Sequence, residues 1–267
     1  MTDRTLPTGK TAAAAMRGGA RPGGPGFLAR YGLWIFAIIV MIAAPQFMTS
    51  GFSRSMLSQI GIAIIFALSY NMLLGQGGML SFGHAVFYGL GGFAAIHLLN
   101  EISPDGFPLP LELLPLAGGV GAMVFGVIFG WISTARAGTT FAMISLGIGE
   151  LVYAGTSMFP DQFGGESGIS GNRVTDTSLF FGYGPQVEVY YLIAFWCLIS
   201  TIVMYLLTRT PLGRMANAVR DNEERAEFVG YSQRYVRFVS FCASGFFAGM
   251  AGGLALAAPR PRAAWAA

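Results

Sequence analysis

Charge is what this chain has least of. Only 11% of its 267 residues are Asp, Glu, Lys or Arg, against about 25% in an ordinary soluble domain. With 54% hydrophobic residues and a mean hydropathy of +0.57, that scarcity excludes a water-soluble globule and makes this a membrane protein on composition alone. Lysine is almost missing: Lys10 stands alone beside fifteen arginines. It lies in Gly9-Lys10-Thr11, but a phosphate-binding loop needs a further glycine five residues before Gly9, where Arg4 is found. The chain therefore binds no nucleotide through that motif, and any ATP-driven work belongs to another polypeptide. Cysteine is equally sparse. Cys197 and Cys242 lie in apolar segments without metal-ligand spacing and read as two small buried hydrophobes, a structural disulfide being the unsupported alternative. His84 has no second ligand in sight, so no metal is expected. The net charge is a small +3, and no nucleic-acid partner is expected.

Long apolar windows are abundant instead. Seven candidate spans cover approximately 31–48, 56–74, 79–99, 113–133, 139–157, 190–207 and 235–257. The expected fold is an all-α polytopic transmembrane bundle of about seven spans, occupying 31–257. Before it, residues 1–30 are rich in Gly, Pro, Ala and Thr and carry five cations against Asp3 alone, which reads as a disordered basic arm. The loops then alternate in charge. Those at 100–112 and 158–189 are acidic, whereas 208–234 carries Arg209, Arg214, Arg220, Arg225 and Arg234. By the positive-inside rule the arm and the 208–234 loop are cytoplasmic, Arg54 being the one exception to the pattern. The tail at 258–267, with Arg260 and Arg262 set between prolines and alanines, follows no membrane or loop logic. It reads as the mark of a truncated or frame-shifted chain.

Three constellations stand out against this apolar background. The first is Gly75-Gln76-Gly77-Gly78-Met79-Leu80-Ser81-Phe82-Gly83-His84-Ala85, which puts polar side chains and glycines at membrane depth between two spans. Such groups are costly there unless they face protein or a water-filled path. With Asn71 one helical turn before Gly75, the candidates to line a solute pathway are Asn71, Gln76, Ser81 and His84. A glycine-rich link that opens a helix would offer unpaired N–H groups to a carboxylate, and Leu80 and Phe82 could accept an apolar side chain. Hydrogen bonding that merely ties helices together explains Asn71, Gln76 and His84 as well. The second constellation is Glu150, about 16 Å along its span and so near the bilayer centre. A carboxylate there costs roughly 2.5–3.5 kcal/mol, so it is expected to face the bundle interior, either on the pathway or as a protonated packing residue.

The third is the cytoplasmic loop. Met215, Val219, Ala226 and Val229 fall on one face of a helix expected to run from about Arg214 to Gly230, with arginines and acids around it. Such an element is either a solvated connector or a docking surface for a partner. Small residues also recur four apart at Ser81, Ala85 and Gly89, at Ala122, Gly126 and Gly130, and at Gly245, Gly249 and Gly253, the spacing of close helix packing in lipid.

The run from Asn71 to Gly89 resembles the signature of permease subunits of branched-chain amino acid ABC importers. Leu212-Gly213-Arg214 through Gly230-Tyr231 resembles their coupling loop, and Glu224-Arg225-Ala226-Glu227-Phe228-Val229-Gly230 is similar to the importer pattern Glu-Ala-Ala, three residues, Gly, with arginine for the first alanine. Gly164–Gly171 and Phe246–Gly252 also fit the larger of the two permease types. The resemblance implies a multi-pass subunit of the bacterial inner membrane, with its amino terminus in the cytoplasm. It implies as partners a second permease subunit, two cytoplasmic ATP-binding subunits, a periplasmic amino acid-binding protein and the lipid bilayer. Arg214, Arg220, Glu224, Ala226 and Gly230 would then couple to the ATPases. No cofactor is expected on this chain, ATP being bound by partner subunits, and no catalytic residue, since nothing is chemically transformed. Family members continue with two or three more spans. Two alternatives remain: a secondary transporter using Glu150 and His84 as proton carriers, or an inactive truncated remnant.

Overall fold

A computed structural model describes residues 27–48, 50–102, 110–165, 168–169 and 186–258. The basic arm read at 1–30 and the tail read at 258–267 therefore lie outside the described residues, but for 27–30 and 258. All the regular structure among the described residues is helical. Helix α1 is Phe27–Phe47 and α2 is Gly51–Asn71, which continues as a π-helical turn over Met72–Gln76. Helix α3 is Ala85–Ile102, α4 Leu114–Ser133, α5 Gly138–Met158, α6 the single turn Pro160–Phe163 and α7 Gln186–Arg209. The short α8 (Pro211–Asp221) and α9 (Glu223–Phe228) precede α10, Gln233–Ala257. By its internal contacts the chain divides into Met1–Met41 and Ile42–Ala267; the packing and the site described below lie in the second unit.

Each of the seven apolar windows coincides with a helix. Five helices are by themselves long and apolar enough to cross a membrane: Gly51–Gln76, α4, α5, α7 and α10. The other two windows give shorter apolar helices. The apolar part of α1 is Trp34–Phe47, and the window at 79–99 becomes helical only at Ala85, because the glycine-rich link before it leaves helical geometry. Helix starts follow capping chemistry: Ser50 Oγ accepts from Ser53 N–H at 3.2 Å for α2, and Ser232 Oγ from Tyr235 N–H at 3.4 Å for α10.

The core is built around α10, sixteen of whose 25 residues are buried against α2, α3 and α4. Lipid tails are as apolar as leucine, so association inside a bilayer rests on how closely backbones can approach. The glycine spacing supplies that approach. A β-carbon built on Gly118 of α4 would lie 2.8 Å from the Gly249 carbonyl oxygen and 2.9 Å from that of Gly91, so three helices meet backbone to backbone. Above this contact Phe241 stands edge-on to Phe87 and Phe141, at centroid distances of 5.2 and 5.9 Å, in a cluster with Leu73, Met79 and Ala248. At the end of α4, the Arg234 guanidinium donates to the Trp131 carbonyl at 3.1 Å and lies 4.6 Å from the centre of its ring. Cys197 and Cys242 are buried, free thiols.

The stripe at Ser81, Ala85 and Gly89 behaves differently. Ser81 is buried, while Ala85 and Gly89 are exposed, and nothing lies within 4 Å of a β-carbon at Gly89. This contrast is testable. Gly118→Ala is expected to destabilise the bundle by about 1–3 kcal/mol through overpacking, whereas Gly89→Ala leaves thermal unfolding in detergent unchanged or slightly raised. Equal effects at the two sites would contradict the packing described here.

Candidate functional site

The glycine-rich junction is a break in the helix, ordered at both ends. The π-helical turn closes with Gly78 N–H donating to the Leu74 carbonyl at 3.0 Å and Met79 N–H to that of Leu73 at 3.1 Å. Gly78 has φ +64, a left-handed stop that a side chain would resist. The link from Met79 to His84 then crosses to the start of α3. Its far end is tied down twice. Phe82 N–H donates to Ser145 Oγ of α5 at 3.0 Å, and the His84 ring enters the bundle between α2 and α10.

His84 is 2% exposed, and its Nε2 lies 3.0 Å from Ser69 Oγ and 3.5 Å from Ser244 Oγ. Both hydroxyl hydrogens are committed elsewhere: Ser69 donates to the Phe66 carbonyl and Ser244 to the Ser69 carbonyl, each at 2.7 Å. With both hydroxyl hydrogens so placed, the cage suits an imidazole that donates through Nε2–H, and Nδ1 has no hydrogen-bond partner. The rings of Phe66, Tyr70 and Phe87 surround it at 5.4, 5.4 and 5.9 Å, and Phe66 also touches Tyr88. This is the geometry of a helix-to-helix tie, the plainer of the two sequence-based accounts of His84.

The other pathway candidates are not gathered into one cavity. Ser81 is buried with its hydroxyl unbonded, Asn71 is exposed, and Leu80 and Phe82 lie on the surface of the chain at 41% and 58% exposure. Gln76 is half-buried, and its Oε1 accepts from Asn217 Nδ2 of α8 at 2.9 Å. Of the link's N–H groups, that of Phe82 is taken by Ser145. Glu150 does not face the bundle interior but is exposed. The packed face of α5 carries Phe141, Ala142 and Ser145, and Glu150 sits about 140° round the helix from Ser145 at 100° per residue.

The cytoplasmic loop is two helices rather than one. At Asn222 the backbone is extended (φ −159, ψ 105), and its side chain caps α9 by accepting from Arg225 N–H at 2.9 Å. Met215, Val219 and Ala226 pack with Val236 of α10 as the periodicity requires, but Val229 is 70% exposed because α9 has already ended. Gly230 has φ +94, as its place as a helix stop predicts. Glu224 is exposed, while its neighbour Glu223 pairs with the buried Arg237 of α10. A cleft of about 600 Å³ opens between α8 and α9, with Ala218, Val219, Ala226 and Val229 as its apolar wall and Arg214 and Arg225 at its rim. Arg220 faces the other way and donates from Nη1 to the Gly75 carbonyl. Nothing in the local pattern singles out Ser145, Ser69 or Ser244; Asn217 could have been found from its three-residue spacing to Arg220 on α8.

A family profile described as branched-chain amino acid transport system / permease component matches residues 53–263. This chain belongs to that family. The permease is 33% identical over 244 residues to the high-affinity branched-chain amino acid transport system permease protein LivM of Salmonella typhimurium, and 32% identical to LivM of Escherichia coli over the same length. Both alignments cover 83% of this chain and 56% of the relative, so the chain spans about half the length of the curated relatives it matches. No solved structure matches it. It is a multi-pass membrane protein of helical-bundle architecture.

The tie through His84 predicts a stability effect. His84→Ala removes a buried ring and its hydrogen bond, and is expected to lower bundle stability by about 2 kcal/mol. His84→Gln, which keeps a donor at similar reach, should recover part of that loss in thermal unfolding. If His84→Ala melts with the parent permease, the ring is not a structural tie.

Proposed function

We propose that this permease forms one half of the membrane pathway of an ABC importer, admitting branched-chain or related amino acids to the cytoplasm. In this reading it works beside a second permease subunit, is driven by two cytoplasmic ATP-binding subunits and receives solute from a periplasmic binding protein. The amino terminus and the 208–234 loop are cytoplasmic, in the bacterial inner membrane. The chain carries no catalytic group and acts by changing shape.

The observation that carries the reading is the α8–α9 element. It is amphipathic, lies on the arginine-rich side, is pinned to α10 through Glu223 and Arg237, and still presents an open apolar cleft with a charged rim. A mere connector would bury its apolar face completely. This one keeps Phe228 and Val229 at 91% and 70% exposure, which suits a partner that covers them. The substrate class rests on family membership and on the two relatives' being branched-chain amino acid permeases. A proton-coupled carrier finds no support: Glu150 lies on the exposed face of α5, and His84 is closed into a serine and aromatic cage.

The cleft can be tested directly. Ala218→Glu puts a carboxylate on its apolar wall at an exposed position. Recovery of the ATP-binding subunits with the full-length permease from membranes is expected to fall about tenfold or more, with membrane insertion retained and uptake of radiolabelled leucine lost. Normal recovery and uptake would show that the cleft is not the ATPase contact.

A further inference from the structure

The short helix α8 has two working faces. Arg214, Ala218 and Asp221 turn toward the cleft; Asn217 and Arg220, about 100° round the helix, turn toward the glycine-rich junction. Asn217 Nδ2 donates to Gln76 Oε1 at 2.9 Å. Arg220 is held in place by Asp221, whose Oδ1 accepts from its Nε and Nη2 at 3.2 and 3.1 Å, and its Nη1 reaches the Gly75 carbonyl. The arginine stem also lies along Gly78, where an added β-carbon would come within 3.3 Å of Cδ and 3.4 Å of Cβ. One helix thus grips the last turn of α2 at its side chain, its carbonyl and its left-handed stop.

That grip has the properties of a mechanical contact. The carbonyls at a helix end lack intrahelical partners, and a cation there is favoured by the helix dipole. Beneath α8, where it meets Met72, Gln76, Leu207 and Ser240, lies a pocket of about 10 Å³, and sliding α8 across this packed surface would press on the π-helical turn. Beyond Gly78, the link is fixed at its other end by Ser145 and His84. Movement of α8 must be absorbed in Gly77–Ser81.

We propose that Asn217 and Arg220 are positioning residues, a two-point handle by which α8 moves the glycine-rich link and so sets the state of the membrane pathway. The proposal rests on the reading of α8–α9 as the ATPase contact. The handle is unlocked or pulled when the ATP-binding subunits shift the cleft face of the same helix.

The test uses the full-length permease purified with its ATP-binding and second permease subunits and reconstituted in vesicles, reading amino acid imported per ATP hydrolysed and, separately, retention of the ATP-binding subunits. Asn217→Leu and Arg220→Ala are expected to keep the ATP-binding subunits bound and to lower import per ATP about tenfold. Volume-conserving acids guard against misfolding. Gln76→Glu leaves the Asn217 donor facing an acceptor, and Asn217→Asp does the same once the Gln76 amide turns its NH2 toward the carboxylate, so each should lose less than about twofold. The pair Gln76→Glu with Asn217→Asp sets two acceptors together and should lose about tenfold, far more than the two singles multiplied. A double variant that transports as the singles predict, or an Asn217→Leu protein with the parent ratio, overturns the handle while leaving the ATPase contact standing. Failure of the parent permease to retain the ATP-binding subunits overturns the contact, and the handle with it.

Discussion

The fold depends on a place where three backbones touch. Gly91 of α3, Gly118 of α4 and Gly249 of α10 bring their helices together with no side chain between them. In hydrocarbon this close fit has to do what the hydrophobic effect does in water. Because α10 is locked on several sides, the centre of the bundle is filled, with Phe87, Phe141 and Phe241 closing it. Surfaces free to act are consequently displaced to the edges: the end of α2, the link before α3, the outer face of α5 and the α8–α9 cleft.

At those edges, polar residues serve the backbone first. A non-helical segment at membrane depth is tolerated only when its N–H and C=O groups find partners inside the protein. In the Met79–His84 link Ser145 takes the Phe82 N–H, while Ser69 and Ser244 hold the His84 ring, and in the π-helical turn Arg220 takes the Gly75 carbonyl. Side chains of the kind that ligate solutes are here engaged in holding an irregular segment in shape. Support and mobility meet in one stretch of chain: rigid at His84, glycine-rich at Gly77 and Gly78, and gripped from outside at Gly75.

Much of this was legible in the sequence. Apolar length located the seven long helices, and the run of glycines after Leu74 marked the break where it occurs. Gly230 announced a left-handed stop. What escaped was direction. The side of α5 that packs is set by where Gly83 and Phe82 meet Ser145, a long-range contact that no local periodicity encodes, and so Glu150 was expected on the wrong face. The loop helix was read as continuous because its apolar stripe spans the break, yet Asn222 caps a new helix there and Val229 emerges into solvent. Arg220, a coupling residue by the family resemblance, also reaches the Gly75 carbonyl across the loop, a contact that no local pattern encodes.

Glycine packing also sets how the bundle responds to temperature. Burying apolar surface from water carries a large heat-capacity change, which bends the stability of soluble proteins into a dome with a cold side. Parting α3, α4 and α10 within a bilayer exposes their faces to lipid tails rather than to water, so the hydration that produces the curvature is absent. The cohesion of this core should therefore vary almost linearly with temperature. The lipid chains that compete for the glycine groove become its effective solvent, and their length and order, more than cold, decide how tightly it stays closed.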